Sequence, residues 1–388
     1  MTAKGPCGSR RARQSPAGQA KRLPFWSPLR LVVAAAALSS CRPALPPPNP
    51  YLAFVACNQS STVAVVDLAQ LRTIASIPVA PGLLQVAARP GAHQIYALSG
   101  SGAIAVIGFP ALRVVRTITI GPSATRMAFS RDGKKAYVLD SEDGRVAILD
   151  ASSAAVTGTI ELRKGISNFA LAPNGKTLVA SDAAHNRLLI VSTDSGKTMA
   201  SVEVGKKPGP LDILPDGSKV FVADTGEDKV SVVDINSRQL LSNIEIGAPP
   251  SVMALKPDGG ELFVFADRAS TMSIVDTSAD NVEQSFPTGK DPVGARFTPD
   301  SERMYVLTSQ DRLVTFFDVA NRSVLAAIPI GTVPDALALT PDGRFLAVGG
   351  RTSGTLVILR TNPPGLITEI PAGARPVDVV IPGWLRPK

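Results

Sequence analysis

The sequence predicts an all-β protein made of four-stranded units closed into a ring. Three observations carry that prediction: a repeat of constant period, four short apolar runs in each period, and partial units at the two ends that add up to one. The period shows best in Val63–Asp67, Val146–Asp150, Val230–Asp234, Met272–Asp276 and Val314–Asp318, which are copies of one motif. Fainter copies end at Gly108, Ser192 and Arg360, so the motif closes at 67, 108, 150, 192, 234, 276, 318 and 360, at steps of 42 after a first step of 41. Such self-similarity decides the architecture before any strand is assigned.

Within one period the first apolar run is Val252–Leu255, followed by the turn Lys256-Pro257-Asp258-Gly259. Proline presets φ, aspartate bonds its own backbone and glycine accepts positive φ. The turn returns as Pro215-Asp216-Gly217 and Pro341-Asp342-Gly343, and in variants as Pro173-Asn174-Gly175, Arg131-Asp132-Gly133 and Pro299-Asp300-Ser301. A second run, Leu262–Phe265, a third, Met272–Val275, and a fourth ending near Phe286 complete the unit. Runs rich in Val, Ile and Phe between turn residues are strands. Four antiparallel strands in about 40 to 45 residues make the blade of a β-propeller.

The count follows from the ends. The repeat region opens with a second, third and fourth strand (Leu52–Ala56 first) and ends with a lone first strand, Pro376–Val380, around seven complete units. Pairing that last strand with the opening three gives eight blades; the alternative is seven blades and an unpaired fragment.

The repeats resemble those of the YVTN-family propellers, the surface-layer or YncE-like group. The resemblance rests on Lys135–Asp140, Lys219–Asp224 and Met304–Thr308 as second strands and on Ile328-Pro329-Ile330-Gly331-Thr332-Val333-Pro334 as the join between units. It extends over residues 51 to 382, although no literal Tyr-Val-Thr-Asn occurs. It implies an exported or surface-bound propeller with a binding or scaffold role.

Charge points the same way. The formal net charge is +8, but residues 1–41 hold seven of the 40 cations and no acid, leaving 33 basic against 32 acidic residues. The near-neutral remainder, with few aromatics, disfavours nucleic acid. Residues 1–40 read as a signal peptide whose apolar stretch, Leu31–Leu38, is too short to span a bilayer. Leu38-Ser39-Ser40-Cys41 has the form of a lipobox, with Cys41 the lipidated residue. Residues 41–50, rich in proline, form a tether and residues 51–388 the propeller. The expectation is a monomeric envelope lipoprotein, in the outer membrane or facing the periplasm of a diderm host, with a membrane partner through its anchor. Cys57 is then left without a disulfide partner.

Chemistry is sought on the loops. The two histidines, His93 and His185, fall in turns of opposite ends of the blades and do not share a site. Neither Cys-x-x-Cys nor the Cys-x-x-Cys-His of covalent haem attachment occurs, nor a nucleophile elbow or phosphate loop. Asp140, Asp182, Asp224 and, one place displaced, Asp267 close second strands and are the candidate metal ligands. The same residue type also closes strands by binding neighbouring N–H groups. Arg145, Arg187 and Lys229, 42 apart, together with Lys206, Lys207 and Lys290, are the candidate mouth for a protein segment or polyanion. No cofactor motif and no catalytic constellation emerge. The functional expectation is therefore a non-catalytic binding scaffold and no enzyme, the alternative being a lactonase-like hydrolase or a cofactor-dependent oxidoreductase.

Overall fold

The computed structural model describes residues 51–384. The signal-peptide, Cys41 and tether assignments lie outside them. Thirty-two strands form eight four-stranded antiparallel sheets, and among the described residues there is no helix long and apolar enough to cross a membrane. Seven sheets are continuous in sequence. The eighth has the order β3-β2-β1-β32, joining Arg72–Pro78, Thr62–Asp67 and Leu52–Cys57 to the last strand, Pro376–Val380. Phe54 pairs with Val380 and Ala56 with Asp378 across that closure. The eight-bladed count is thus observed, and the seven-bladed alternative is excluded. We number the closing sheet blade 1 and the others 2 to 8 in chain order.

Each local feature has a physical cause. Second and third strands are buried on both faces, whereas fourth strands such as β7 (Arg113–Thr119), β11 (Ala155–Glu161) and β19 (Gln239–Glu245) bury one residue each, Ile118, Ile160 and Ile244. Those isoleucines, 42 or 84 residues apart, reach into the core between blades. All eight third-to-fourth pairings shift register at one phase of the repeat, for example at Val65/Val66 and Val232/Val233. Such a bulge bends the outer strand and increases twist. The core is therefore eight interblade layers rather than one axial cluster; Phe263, Phe265, Met272 and Ile274 of one blade meet Met304, Val306 and Phe317 of the next.

The third-strand aspartates cap the turns that follow them. Asp150 Oδ1 accepts the N–H groups of Ser152 and Ser153 at 2.9 and 2.7 Å, and Asp276 accepts those of Ser278 and Ala279. Their carboxyls are held below the ordinary range, first by the neighbouring serine hydroxyls. In the first turn of blade 3 glycine is required twice over. Gly133 has φ 65°, and a Cβ there would lie 2.0 Å from the Pro90 carbonyl oxygen of the adjacent blade. Cys57 is fully buried, and burial pushes its thiol up to about 11. It is a packing residue.

Candidate functional site

Antiparallel alternation gives the ring two faces. One carries the loops between second and third strands together with the joins between blades, tied by bonds such as Val204 N–H to Asn186 O. His185, the four aspartates and the six cations singled out above lie on this face. His93 lies on the other, where its ring stands 5.8 Å from Phe109 and 5.2 Å from Trp384.

The cations of the arc have acid neighbours. Arg145, Arg187 and Lys229 stand directly across the sheet from Glu161, Glu203 and Glu245, glutamates that recur at the same 42-residue interval. Arg187 and Lys229 reach theirs at 3.8 and 3.9 Å, and Arg145 turns to Asp143 at 2.8 Å and Asp140 at 3.3 Å. Such half-exposed pairs contribute little stability, but they largely offset the arc's charge. Lys206, Lys207 and Lys290 fix the joins through backbone N–H bonds to Glu227, Asn186 and Asp311.

The aspartates lie one to a blade, Asp140, Asp182 and Asp224 buried and Asp267 half-buried. Asp182, which is fully buried, takes the His185 ring Nδ1 at 2.8 Å. A carboxylate accepts, so Nδ1 is the donor of this contact and Nε2 of the half-exposed imidazole is the ring nitrogen outside it. Asp267 accepts the N–H of Arg268 at 2.8 Å. Among the described residues no three His, Cys, Asp or Glu side chains gather closely enough to hold a metal ion by themselves.

The central channel shows an arrangement that the search of the loops does not reach. The eight first strands line the axis. Asp335 on β28 (Pro334–Leu339) is taken up by Arg351 at 2.8 Å, and four further first strands, in alternate blades, carry a charge: Arg126 on β8 (Ala124–Phe129), Asp212 on β16 (Pro208–Ile213), Arg296 on β24 (Pro292–Phe297) and Asp378 on β32. The signs alternate around the ring. These groups sense one another across blade boundaries, as side chains directed at a common axis do. Both arginines are exposed to the channel while protein encloses them, and no acid lies within 4 Å of either among the described residues. Burial pushes the Asp212 carboxyl up to about 6 against the pull of Arg126 and Arg296. Burial likewise takes Asp378 to about 6, although its carboxylate accepts the N–H groups of Val86 and Val379, both at 2.9 Å. At neutral pH the channel therefore holds two cations and two largely ionised acids.

Fold and site together define an eight-bladed propeller with a charged axial channel and, on one face, a histidine oriented by an aspartate. A family model described as the cytochrome d1 haem domain matches residues 257–382, which include Arg296 and Asp378. Among solved structures the chain is similar to the dihydro-haem d1 dehydrogenase NirN in complex with DHE, at 17% identity over 88% of this chain and 77% of that one, with a TM-score of 0.75. It is also similar to the hydrazine synthase of Kuenenia stuttgartiensis, at 19% identity over 65% and 87% of the two chains, with a TM-score of 0.55. A functionally unknown protein from Desulfotomaculum acetoxidans matches at 14% identity over 77% and 98%, with a TM-score of 0.60. These likenesses show the fold. No curated protein matches the chain.

The comparisons correct two expectations. The non-catalytic scaffold, and with it the reading of the chain as no enzyme, gives way because the matching family model is a haem domain and two of these structural neighbours are named as a dehydrogenase and a synthase. The physical reason is that a cofactor held without covalent attachment needs no contiguous motif. Contacts to such a group can come from single residues in separate blades.

Proposed function

We propose that this propeller binds a haem d1-type tetrapyrrole without covalent attachment and acts as a cofactor-dependent oxidoreductase module. The observation that carries the reading is the cytochrome d1 haem-domain match over residues 257–382. The donor set fits such a group. Arg126 and Arg296 offer guanidiniums, with no acid within 4 Å of either among the described residues, to the carboxylates that a tetrapyrrole carries on its rim. His185 offers Nε2 of a ring that Asp182 orients, the usual arrangement of a metal-binding imidazole. When bound, the group supplies the redox chemistry of its iron and macrocycle. In this reading the chain holds the carboxylate rim, presents an imidazole oriented by Asp182, and keeps Asp212 and Asp378 near the axis as carboxylates that take up protons only toward pH 6.

Titration of the purified protein with haem d1, followed by visible absorption, tests this. Saturable binding at one equivalent is expected. Arg126→Gln combined with Arg296→Gln should weaken it at least roughly tenfold, since one charge-assisted hydrogen bond contributes about 1.5–3 kcal/mol. His185→Ala should shift the visible bands. An unchanged spectrum through the titration, or a double variant that binds as the parent does, overturns the proposal.

The YVTN-like repeats and the lipobox belong to the same reading: a ring built from that repeat grammar, exported and held at a membrane by lipid on Cys41. Two or three acyl chains anchor stably where one does not. Cys41→Ser should move the protein to the soluble fraction. If the variant still sediments with membranes after a high-salt wash, the anchor lies elsewhere.

A further inference from the structure

The repeat places three sets of residues at identical phases on the loop face: Gly121, Asp140, Asp143 and Arg145 in blade 3; Asp182, His185 and Arg187 in blade 4; Gly205, Asp224, Glu227 and Lys229 in blade 5. Blade 3 solves the electrostatics of its carboxylate pair internally, with Arg145 Nη2 3.3 Å from Asp140 and 2.8 Å from Asp143. Blade 4 has a single carboxylate with His185 Nδ1 against it at 2.8 Å. Blade 5 has the pair again, Asp224 and Glu227, but Lys229 sits where Arg145 would and turns to Glu245 at 3.9 Å. No basic side chain stands within 4 Å of either carboxylate among the described residues.

Asp224 is fully buried and its Oδ1 has no hydrogen-bond partner. A buried, unpaired carboxylate oxygen is costly. The two acids also converge: a Cβ on Gly205 would lie 2.4 Å from Asp224 Oδ2 and 2.4 Å from Glu227 Oε1. In blade 3 the corresponding point beside Gly121 has Arg145 Nη2 at 2.8 Å. Ser231 Oγ, which receives the Gly205 N–H at 3.1 Å, lies 2.8 Å from Asp224 Oδ2 and 2.9 Å from Asn243 Oδ1. A hydroxyl has one proton. Even when Ser231 donates it to Asp224 Oδ2, Asp224 Oδ1 is left without a partner.

We infer that blade 5 binds one hard divalent cation of the calcium class, ligated by Asp224 and Glu227, in the role that the Arg145 guanidinium plays in blade 3. All donors are oxygen, the net ligand charge is −2, and water on the open side completes the shell, which matches calcium better than the strict octahedron of magnesium or the nitrogen and sulfur preference of zinc. The state of Asp224 in the cation-free protein agrees. Burial, opposed by the Ser231 hydroxyl and reinforced by the charge of Glu227, pushes its carboxyl up to about 7. Cation binding competes with that proton.

Chelator-treated full-length protein, titrated with calcium chloride at pH 7.5 by calorimetry and by thermal melting, tests the site. One saturable site and a rise in Tm of several degrees are expected. Asp224→Asn and Glu227→Gln should each abolish both signals, while Asp140→Asn in blade 3 leaves them intact. Glu227 is only partly buried, so its variant stays folded even where the Asp224 variant does not. Absence of heat and of any Tm change at millimolar calcium overturns the inference and leaves Asp224 as a proton-holding acid. Undiminished binding by Glu227→Gln overturns it equally. Neither result bears on tetrapyrrole binding.

Discussion

A chain ending at Arg375 is expected to lose the folded ring altogether, because the thirteen residues removed include the whole first strand of blade 1. Without β32, one long edge of β1 loses its hydrogen-bond partners, although all six residues of β1 are buried. The truncation also removes the buried side chains of Val379 and Ile381, the Asp378 carboxylate that takes the Val86 N–H, and the Trp384 ring that stands 6.3 Å from Phe54. Burying one such aliphatic side chain contributes about 1.5–3 kcal/mol, and each buried backbone group left unpaired costs about 1–3 kcal/mol. The sum is comparable to the whole of a typical folding free energy, about 5–15 kcal/mol. The exposed edge of β1 further offers a template for aggregation. Size-exclusion chromatography and a circular-dichroism melt check this; a truncated protein that elutes as a monomer and melts within a few degrees of the parent refutes the argument.

Phe263→Ala is expected to produce the largest loss among single substitutions in the core. The ring is fully buried between blades 6 and 7, 5.2 Å from Phe297 and 6.3 Å from Phe317, with the Arg322 guanidinium 6.0 Å over its face. Emptying such a site costs about 3–5 kcal/mol, the transfer free energy plus a cavity that rigid sheets on both sides fill poorly. Tm should fall by roughly 10 °C. Leu241→Ala, on an outer strand where the side chain is 48% exposed, should stay within about 0.5 kcal/mol of the parent. A drop of less than about 2 °C for the phenylalanine variant would show that neighbouring blades collapse into the space.

Those two positions also mark what the sequence makes legible. The period, the turns and the count of strands follow from residues that recur in most blades: the turn glycine, forced at position 133 by φ and a neighbouring carbonyl, the turn-capping aspartates, the isoleucines that enter interblade layers. Closure by Pro376–Val380 follows from counting, since an unpaired apolar strand is unfavourable. The channel is a different kind of feature. Arg126, Asp212, Arg296 and Asp378 are single residues in four separate units, at two phases of the repeat, and only the ring brings them together. Their signal is present but quiet, a lone charge inside each of four otherwise apolar first-strand runs, Ala124–Phe129, Pro208–Ile213, Pro292–Phe297 and Pro376–Val380. The basic arc illustrates the converse. Arg145, Arg187 and Lys229 stand out by their spacing, and so do Glu161, Glu203 and Glu245, but cross-strand register is needed to see that the two series face each other.

The alternating channel ring has one more consequence. Two of its four members lose charge near pH 6 and two never do, so its balance is set by the medium. Above that pH the axis behaves as a zwitterion, indifferent to the sign of what approaches. Below it, protonation of Asp212 and Asp378 leaves two guanidiniums unopposed, and the same passage becomes a small anion exchanger whose affinity for carboxylates grows as the surroundings acidify.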